Sequence, residues 1–135
     1  RSPLYPATAI AKKMRWVKRG VANLRKLREY YSSLPGGFIA EGHLLCEFPV
    51  PGAKCLVLRT QPCELEKRLK ARGYSKRKTR QNVECEVIDY CLLKAEENYG
   101  EVLQADNTFF PPLEKALEGG AECDWVFGFA SQRTI

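Results

Sequence analysis

"AKCLVLRTQPCELEKRLKARGYSKRKTR", residues 53–80, sets a nearly unbroken apolar run against a block of positive charge. Residues 53–60 have the composition of a strand buried on both faces of a parallel sheet. Thr60 is placed to cap a following helix, with Pro62 in its first turn and Leu65 and Leu69 as its buried stripe. Gly73-Tyr74 then breaks the chain. Residues 67–80 carry eight Lys and Arg and no acid. Such a block is either a solvated face or a clamp for phosphates, and the rest of the chain has to decide between them.

Outward from this stretch, strands alternate with helices. Upstream, "GFIAE" (37–41) reads as a short strand. Downstream, Ser75 can cap a long helix to about Tyr99, with Val83, Val87, Ile88, Cys91, Leu92 and Ala95 on its inner face. "EVLQAD" (101–106) is a third strand, "PPLEKALEGG" (111–120) a short helix, and "CDWVFGFA" (123–130) an apolar tail, strand or loop. The pattern predicts an α/β fold with a parallel sheet flanked by helices.

The N-terminal part differs in charge. Residues 1–30 hold nine basic groups against Glu29 alone, while residues 31–135 hold thirteen basic against fifteen acidic. Residues 1–11 read as an extended basic arm and residues 12–135 as a single domain. From Lys12 to Tyr31, the residues Met14, Val17, Val21, Leu24, Leu27 and Tyr31 recur at three- and four-residue steps, the pattern of one helical face. The cations around it are Lys12, Lys13, Arg15, Lys18, Arg19, Arg25, Lys26 and Arg28. One acid among nine bases gives little i,i+4 pairing, so this charge implies a polyanionic partner: nucleic acid first, an anionic membrane surface second. Trp16, Tyr5, Tyr30 and Tyr31 add stacking surfaces suited to RNA.

The six cysteines (46, 55, 63, 85, 91 and 123) form no CxxC pair, and His43 is the one histidine. That argues against a zinc site and for free, mostly buried thiols in a reducing compartment, with Cys85 a packed helix residue. No apolar run reaches the roughly 18 residues of a membrane span.

Three segments now stand in order: "FIAEGHLLCEFP" (38–49), "CLVLRTQPCELEKRLKARGYSKRKTRQNVECE" (55–86) and "DWV" (124–126). Together they resemble the adenylate kinase isoenzyme 6 family, nuclear and archaeal P-loop NTPases that also assist maturation of the small ribosomal subunit. The resemblance covers about Val21 to Trp125 and is most specific from Leu56 to Glu86. It implies a nucleoside-kinase fold with a five-stranded parallel sheet. It implies that Glu41-Gly42-His43 matches the family's acidic-x-His element, where the acid helps hold the magnesium shell and the His serves phosphoryl turnover. It also implies that residues 62–86 form a lid whose Arg68 and Arg72 close over the triphosphate, work that rests on positioning and cationic neutralisation.

One departure qualifies this. The motif G-x-x-x-x-G-K-[ST], whose amides and Lys cradle phosphates, is absent from these residues. The family's first strand, which carries that loop, lies centrally between the third and fourth strands. Without it, two strand edges stand open. The slot could be filled by the tail "WVFGFA", a rearranged pairing, a second chain or an N-terminal half.

Three functional expectations follow. The first is a P-loop-less kinase-like protein that binds rRNA or the small ribosomal subunit through the N-terminal cations and Lys76, Arg77, Lys78 and Arg80. It needs no cofactor, is not an enzyme on its own, and is cytoplasmic and ribosome-associated, or nuclear in a eukaryote. The second is the C-terminal part of a magnesium-dependent adenylate kinase or ATPase that uses ATP once a P-loop is supplied from upstream of Arg1. The third is a chaperone that pairs a small-subunit ribosomal protein with an open strand edge.

Overall fold

Two parallel strand pairs, rather than one continuous sheet, frame the protein in its computed structural model, which describes residues 2–109, 121–124 and 129–132. Strand β1 (Leu4–Pro6) pairs parallel with β4 (Ile39–Glu41), Leu4 opposite Ile39 and Pro6 opposite Glu41. Strand β5 (Cys55–Arg59) pairs parallel with β6 (Val102–Asp106), Arg59 opposite Asp106. Helices make both crossovers, as parallel pairing requires. The expected α/β character and the strands at 37–41, 53–60 and 101–106 therefore stand.

The N-terminal segment departs from expectation. Instead of an extended arm, residues 4–13 form β1 and then α1 (Ala7–Lys13), whose Ala7 and Ala11 are fully buried. Instead of one helix over 12–31, the chain makes a hairpin of β2 (Val17–Lys18) and β3 (Val21–Ala22), then α2 (Leu24–Ser33). Arg19 and Gly20 close the hairpin at φ 51 and 76, the left-handed pair that a two-residue antiparallel turn demands. Asn23 caps α2 by accepting from the Lys26 amide at 3.1 Å. Two of the six expected stripe residues, Leu27 and Tyr31, are buried, Val17 and Leu24 are half-buried, and Met14 and Val21 are exposed.

The helices on either side of Gly73-Tyr74 start where the sequence places them. Helix α3 (Pro62–Ala71) has proline at its start and buries Leu69, and Gly73 (φ 82) ends it. The cap is Gln61 rather than Thr60, which is itself buried. Ser75 caps α4 (Lys76–Val87) by accepting from the Lys78 amide at 3.2 Å. The long helix to Tyr99 is in fact two. Asp89 takes a left-handed conformation (φ 58) and opens α5 (Tyr90–Asn98), leaving Ile88 exposed.

Two packed clusters sit beneath these elements. Ala7, Ala11, Leu27, Tyr31, Phe48 and Val50 form one, between α1, α2 and the chain after β4. Cys46, Val57 and Ala95 form the other, between β5 and α5. Strands β7 (Ala121–Asp124) and β8 (Phe129–Gln132) pair antiparallel with each other. The tail is thus strand at both ends, and among the described residues it fills no slot beside β4 or β5. The helix expected at 111–120 lies outside the described residues. Among these residues, no helix is long and apolar enough to cross a membrane.

The apolar strand β5 is covered on one side only. Val57 and Arg59 are buried, but Leu58 is 52% exposed. Ile39 on β4 and its cross-strand partner Leu4 are 54% and 59% exposed. Both strand pairs therefore show apolar side chains to solvent, where a parallel sheet is normally covered.

Candidate functional site

Glu41 ends β4 with its carboxylate exposed, and His43 opens a short 3-10 turn (His43–Glu47), also exposed. Neither side chain makes a hydrogen bond or ion pair among the described residues, so both are available to a ligand. Gly42 between them has a physical reason. Its φ is +136, and a Cβ there would lie 3.3 Å from the Ala7 Cβ. The acid-x-His turn is thereby pressed against the start of α1. Behind it, Tyr31 donates to the Tyr5 carbonyl at 2.8 Å. Burial, then the nearby Tyr30 and Glu41, push the Tyr31 hydroxyl up to about 12.

Arg68 and Arg72, the two arginines expected in a lid, differ in their surroundings. Arg68 is mostly buried. It donates to the carbonyls of Asn107 at 3.0 Å and Thr108 at 2.7 Å and pairs with Glu64 at 3.3 Å. It thus joins α3 to the chain that leaves β6. Arg72 stands exposed at the end of α3, as do Lys76, Arg77, Lys78 and Arg80 on α4. Lys78 lies over the Tyr74 ring at 4.6 Å. Charge therefore faces outward along one helix–turn–helix, with Arg68 at its base.

The N-terminal cations Lys12, Lys13, Arg15, Lys18, Arg19, Arg25, Lys26 and Arg28 are all exposed. They are spread over α1, the hairpin and α2 rather than along one helix face, and Arg25 pairs with Glu29 at 3.2 Å.

Sequence reading missed Arg59. It is 1% exposed at the end of β5 and donates to Glu86 (2.7 Å to Oε1, 3.2 Å to its carbonyl), to Gln104 (3.0 Å) and to Asp89. Burial alone would lower its pKa, but Glu86 and Asp89 more than offset this and leave it raised. The signal was present. A cation inside "CLVLRT" cannot stay buried without partners, and acids near 86 were the candidates. This network fixes the α4–α5 corner.

All six cysteines are free thiols, and Cys63 and Cys85 are exposed, so Cys85 is not the packed residue expected. Among the described residues, no group of three His, Cys, Asp or Glu could hold a metal ion. Magnesium held chiefly by phosphate oxygens needs only one or two carboxylates, and Glu41 can supply one. The motif whose amides would cradle those phosphates, G-x-x-x-x-G-K-[ST], is absent from this sequence.

No protein-family model matches the chain. Similarity to individual proteins is clear. A protein of Thermococcus onnurineus named "Putative adenylate kinase" is 40% identical over 94 residues, which is 70% of this chain and 50% of that protein. The equivalent of Pyrococcus furiosus is 38% identical over 80 residues, 59% of this chain and 43% of its own length. That of Pyrobaculum aerophilum is 35% identical over 100 residues, 70% and 51%. The likeness supports an adenylate kinase-like family. The chain spans about half the length of the curated relatives it matches.

Proposed function

We propose that this chain supplies the lid and the acid-x-His turn of an adenylate kinase-like nucleotide-binding protein of the isoenzyme 6 kind. A strand bearing the phosphate-binding loop completes it by inserting between β4 and β5. One observation carries the reading. The two strands that end in Glu41 and in Arg59 belong to separate parallel pairs with no hydrogen bond between them. Each faces an open edge, and Ile39 and Leu58 beside those edges are half-exposed apolar residues. Parallel sheets in α/β proteins are covered on both faces and blunt or cover exposed edges, so a further strand and its helix are the economical filling.

In the completed fold, the amides of the supplied loop hold the triphosphate. Glu41 would supply a carboxylate to the magnesium shell, and His43 would serve phosphoryl turnover. Arg72 and the α4 cations close over the charge, while Arg68 holds the base of the lid. ATP and magnesium are then the cofactors, and adenylate kinase or ATPase activity belongs to the whole protein.

The test joins this chain to a strand followed by G-x-x-x-x-G-K-[ST], taken from the reading frame upstream of Arg1 or supplied on a second chain. ATP-magnesium is expected to raise the melting temperature of the joined protein and leave that of this chain unchanged. No shift in the joined protein overturns the reading.

A second reading rests on a different observation. Apart from Arg25, the exposed cations at 12–28 and 76–80 form no ion pair among the described residues. This leaves them free for rRNA of the small ribosomal subunit, with affinity falling steeply with salt. Reversing the charge of Lys18, Arg19, Arg25 and Lys26 together is expected to abolish sedimentation with ribosomal particles, and unchanged sedimentation sinks this reading.

A further inference from the structure

We propose that Cys46 and Cys91 form a redox-sensitive pair whose disulfide ties the turn after Glu41-Gly42-His43 to helix α5. The two sulfurs lie 3.1 Å apart. A disulfide needs about 2.05 Å, so roughly 1 Å of closure between two packed elements suffices. The residues come from distant parts of the chain, yet the contact is built on both sides. Cys46 is buried in the cluster with Val57 and Ala95, and Cys91 packs against that same cluster. Asn98 of α5 donates to the Cys46 carbonyl at 2.8 Å, and Tyr99 donates to the Leu45 carbonyl at 2.6 Å. These bonds hold α5 and the 3-10 turn in register and keep the two sulfurs side by side.

The two thiols are unequal. Cys91 is half-buried and reachable, and its hydrogen bond with the Cys46 sulfur lowers its pKa. Its partner is raised, first by that same bond and then by burial. Cys91 is therefore the attacking thiolate and Cys46 the resolving thiol. The oxidant is a low-molecular-weight disulfide. The Cys91 thiolate attacks one of its sulfurs and expels a thiolate. Cys46 then loses its proton and attacks the Cys91 sulfur, expelling the second. The net change is two protein thiols plus one small disulfide giving one protein disulfide plus two small thiols.

The consequence reaches the acid-x-His turn. Reduced Cys46 donates its S–H to the His43 carbonyl at 3.1 Å, and oxidation removes that donor. The pair thus couples thiol state to the residue beside Glu41 and Gly42, whether or not another strand joins the fold.

The test titrates the full chain, folded and reduced, with oxidised glutathione. Remaining thiols are then alkylated and the digested peptides are mapped by mass. One linked peptide pair containing Cys46 and Cys91 is expected. It should be lost on treatment with dithiothreitol, and the oxidised form should melt several degrees higher. Cys91→Ser is expected to abolish the link while Cys63→Ser leaves it intact. The mapping of the unaltered chain decides the matter even if a variant misfolds. Three results overturn the proposal: a disulfide joining other cysteines, a glutathione adduct on Cys91 that never resolves to Cys46, or both residues recovered as thiols when exposed Cys63 and Cys85 have reacted.

Discussion

Arg59 Nε and Glu86 Oε1 meet at 2.7 Å, a strand end joined to a helix end across 27 residues of sequence. The Arg59 side chain is 1% exposed and that of Glu86 15%, so water does little to screen this pair. Arg59→Ala strands Glu86 and Asp89 around a buried gap. The expected cost is about 3–5 kcal/mol in urea unfolding. Arg59→Met with Glu86→Gln should cost less than the sum of the single changes, because no uncompensated charge remains on that pair. A cost for Arg59→Ala below about 1 kcal/mol, the range of surface pairs, contradicts the role given to this network.

Gly42 and Ala7 make a second coupled pair. Gly42→Ala places a Cβ 3.3 Å from the Ala7 Cβ and forces φ +136 on a residue with a side chain. Backbone strain of this kind costs roughly 1–3 kcal/mol. In an Ala7→Gly background, the same change is expected to cost less, because the clash is gone while the strain remains. Melting of the four proteins in the cycle measures the coupling. Strictly additive effects refute the close approach.

What the sequence made legible was local. Pro62 at a helix start, Gly73 at a helix end and the Ser75 cap each act within a few residues, and each stands where its chemistry places it. What it hid depends on distant partners. Asp89 breaks the long helix, and its side chain binds Arg59, thirty residues away. Three- and four-residue spacing from Met14 to Tyr31 fits a helix, but Gly20 and the β-branched Val17 and Val21 permit a hairpin that periodicity does not see. Glu41, Gly42 and His43 could be named from sequence. The fixed Arg68 and the outward Arg72 could be told apart only in three dimensions.

That difference predicts divergent phenotypes. Arg68→Ala removes two charged hydrogen bonds to carbonyls, each worth about 1.5–3 kcal/mol, and should destabilise the chain and free residues 107–108 to exchange amide hydrogen. Arg72→Ala touches an exposed side chain and should stay within about 0.5 kcal/mol. If a strand with a phosphate-binding loop completes the protein as proposed, Arg72→Ala is expected to lower kcat for phosphoryl transfer tenfold or more without loss of stability. Equal destabilisation by both variants, or a silent Arg68→Ala, overturns the division.

Tyr31 sets an alkaline limit. Its folded pKa is pushed up to about 12 by burial and by the neighbouring Tyr30 and Glu41, against roughly 10 in an unfolded chain. The unfolded state therefore gives up its proton first as pH rises. Stability from this group is fully present below about pH 10 and is lost between pH 10 and 12. Tyr31→Phe loses the 2.8 Å bond to the Tyr5 carbonyl, so it melts lower at neutral pH. Its melting temperature should nonetheless fall less steeply across that alkaline window. Identical slopes for the two proteins remove Tyr31 from the account.

Leu58 tests the slot between the strand pairs. It is 52% exposed on β5, and a lone surface Leu is usually replaceable within about 0.5 kcal/mol. Leu58→Lys is therefore expected to leave urea unfolding of this chain nearly unchanged. In a protein completed by a strand and its phosphate-binding loop, the same position is covered, and an unpaired ammonium there costs about 2 kcal/mol or more. Ile39→Lys on β4, half-exposed in the same way, should repeat the contrast from the other side. The comparison isolates burial from side-chain chemistry, because the substitution is the same in both proteins. A small cost in both contexts means that nothing packs on these residues. A large cost in this chain alone means that they are already part of its core.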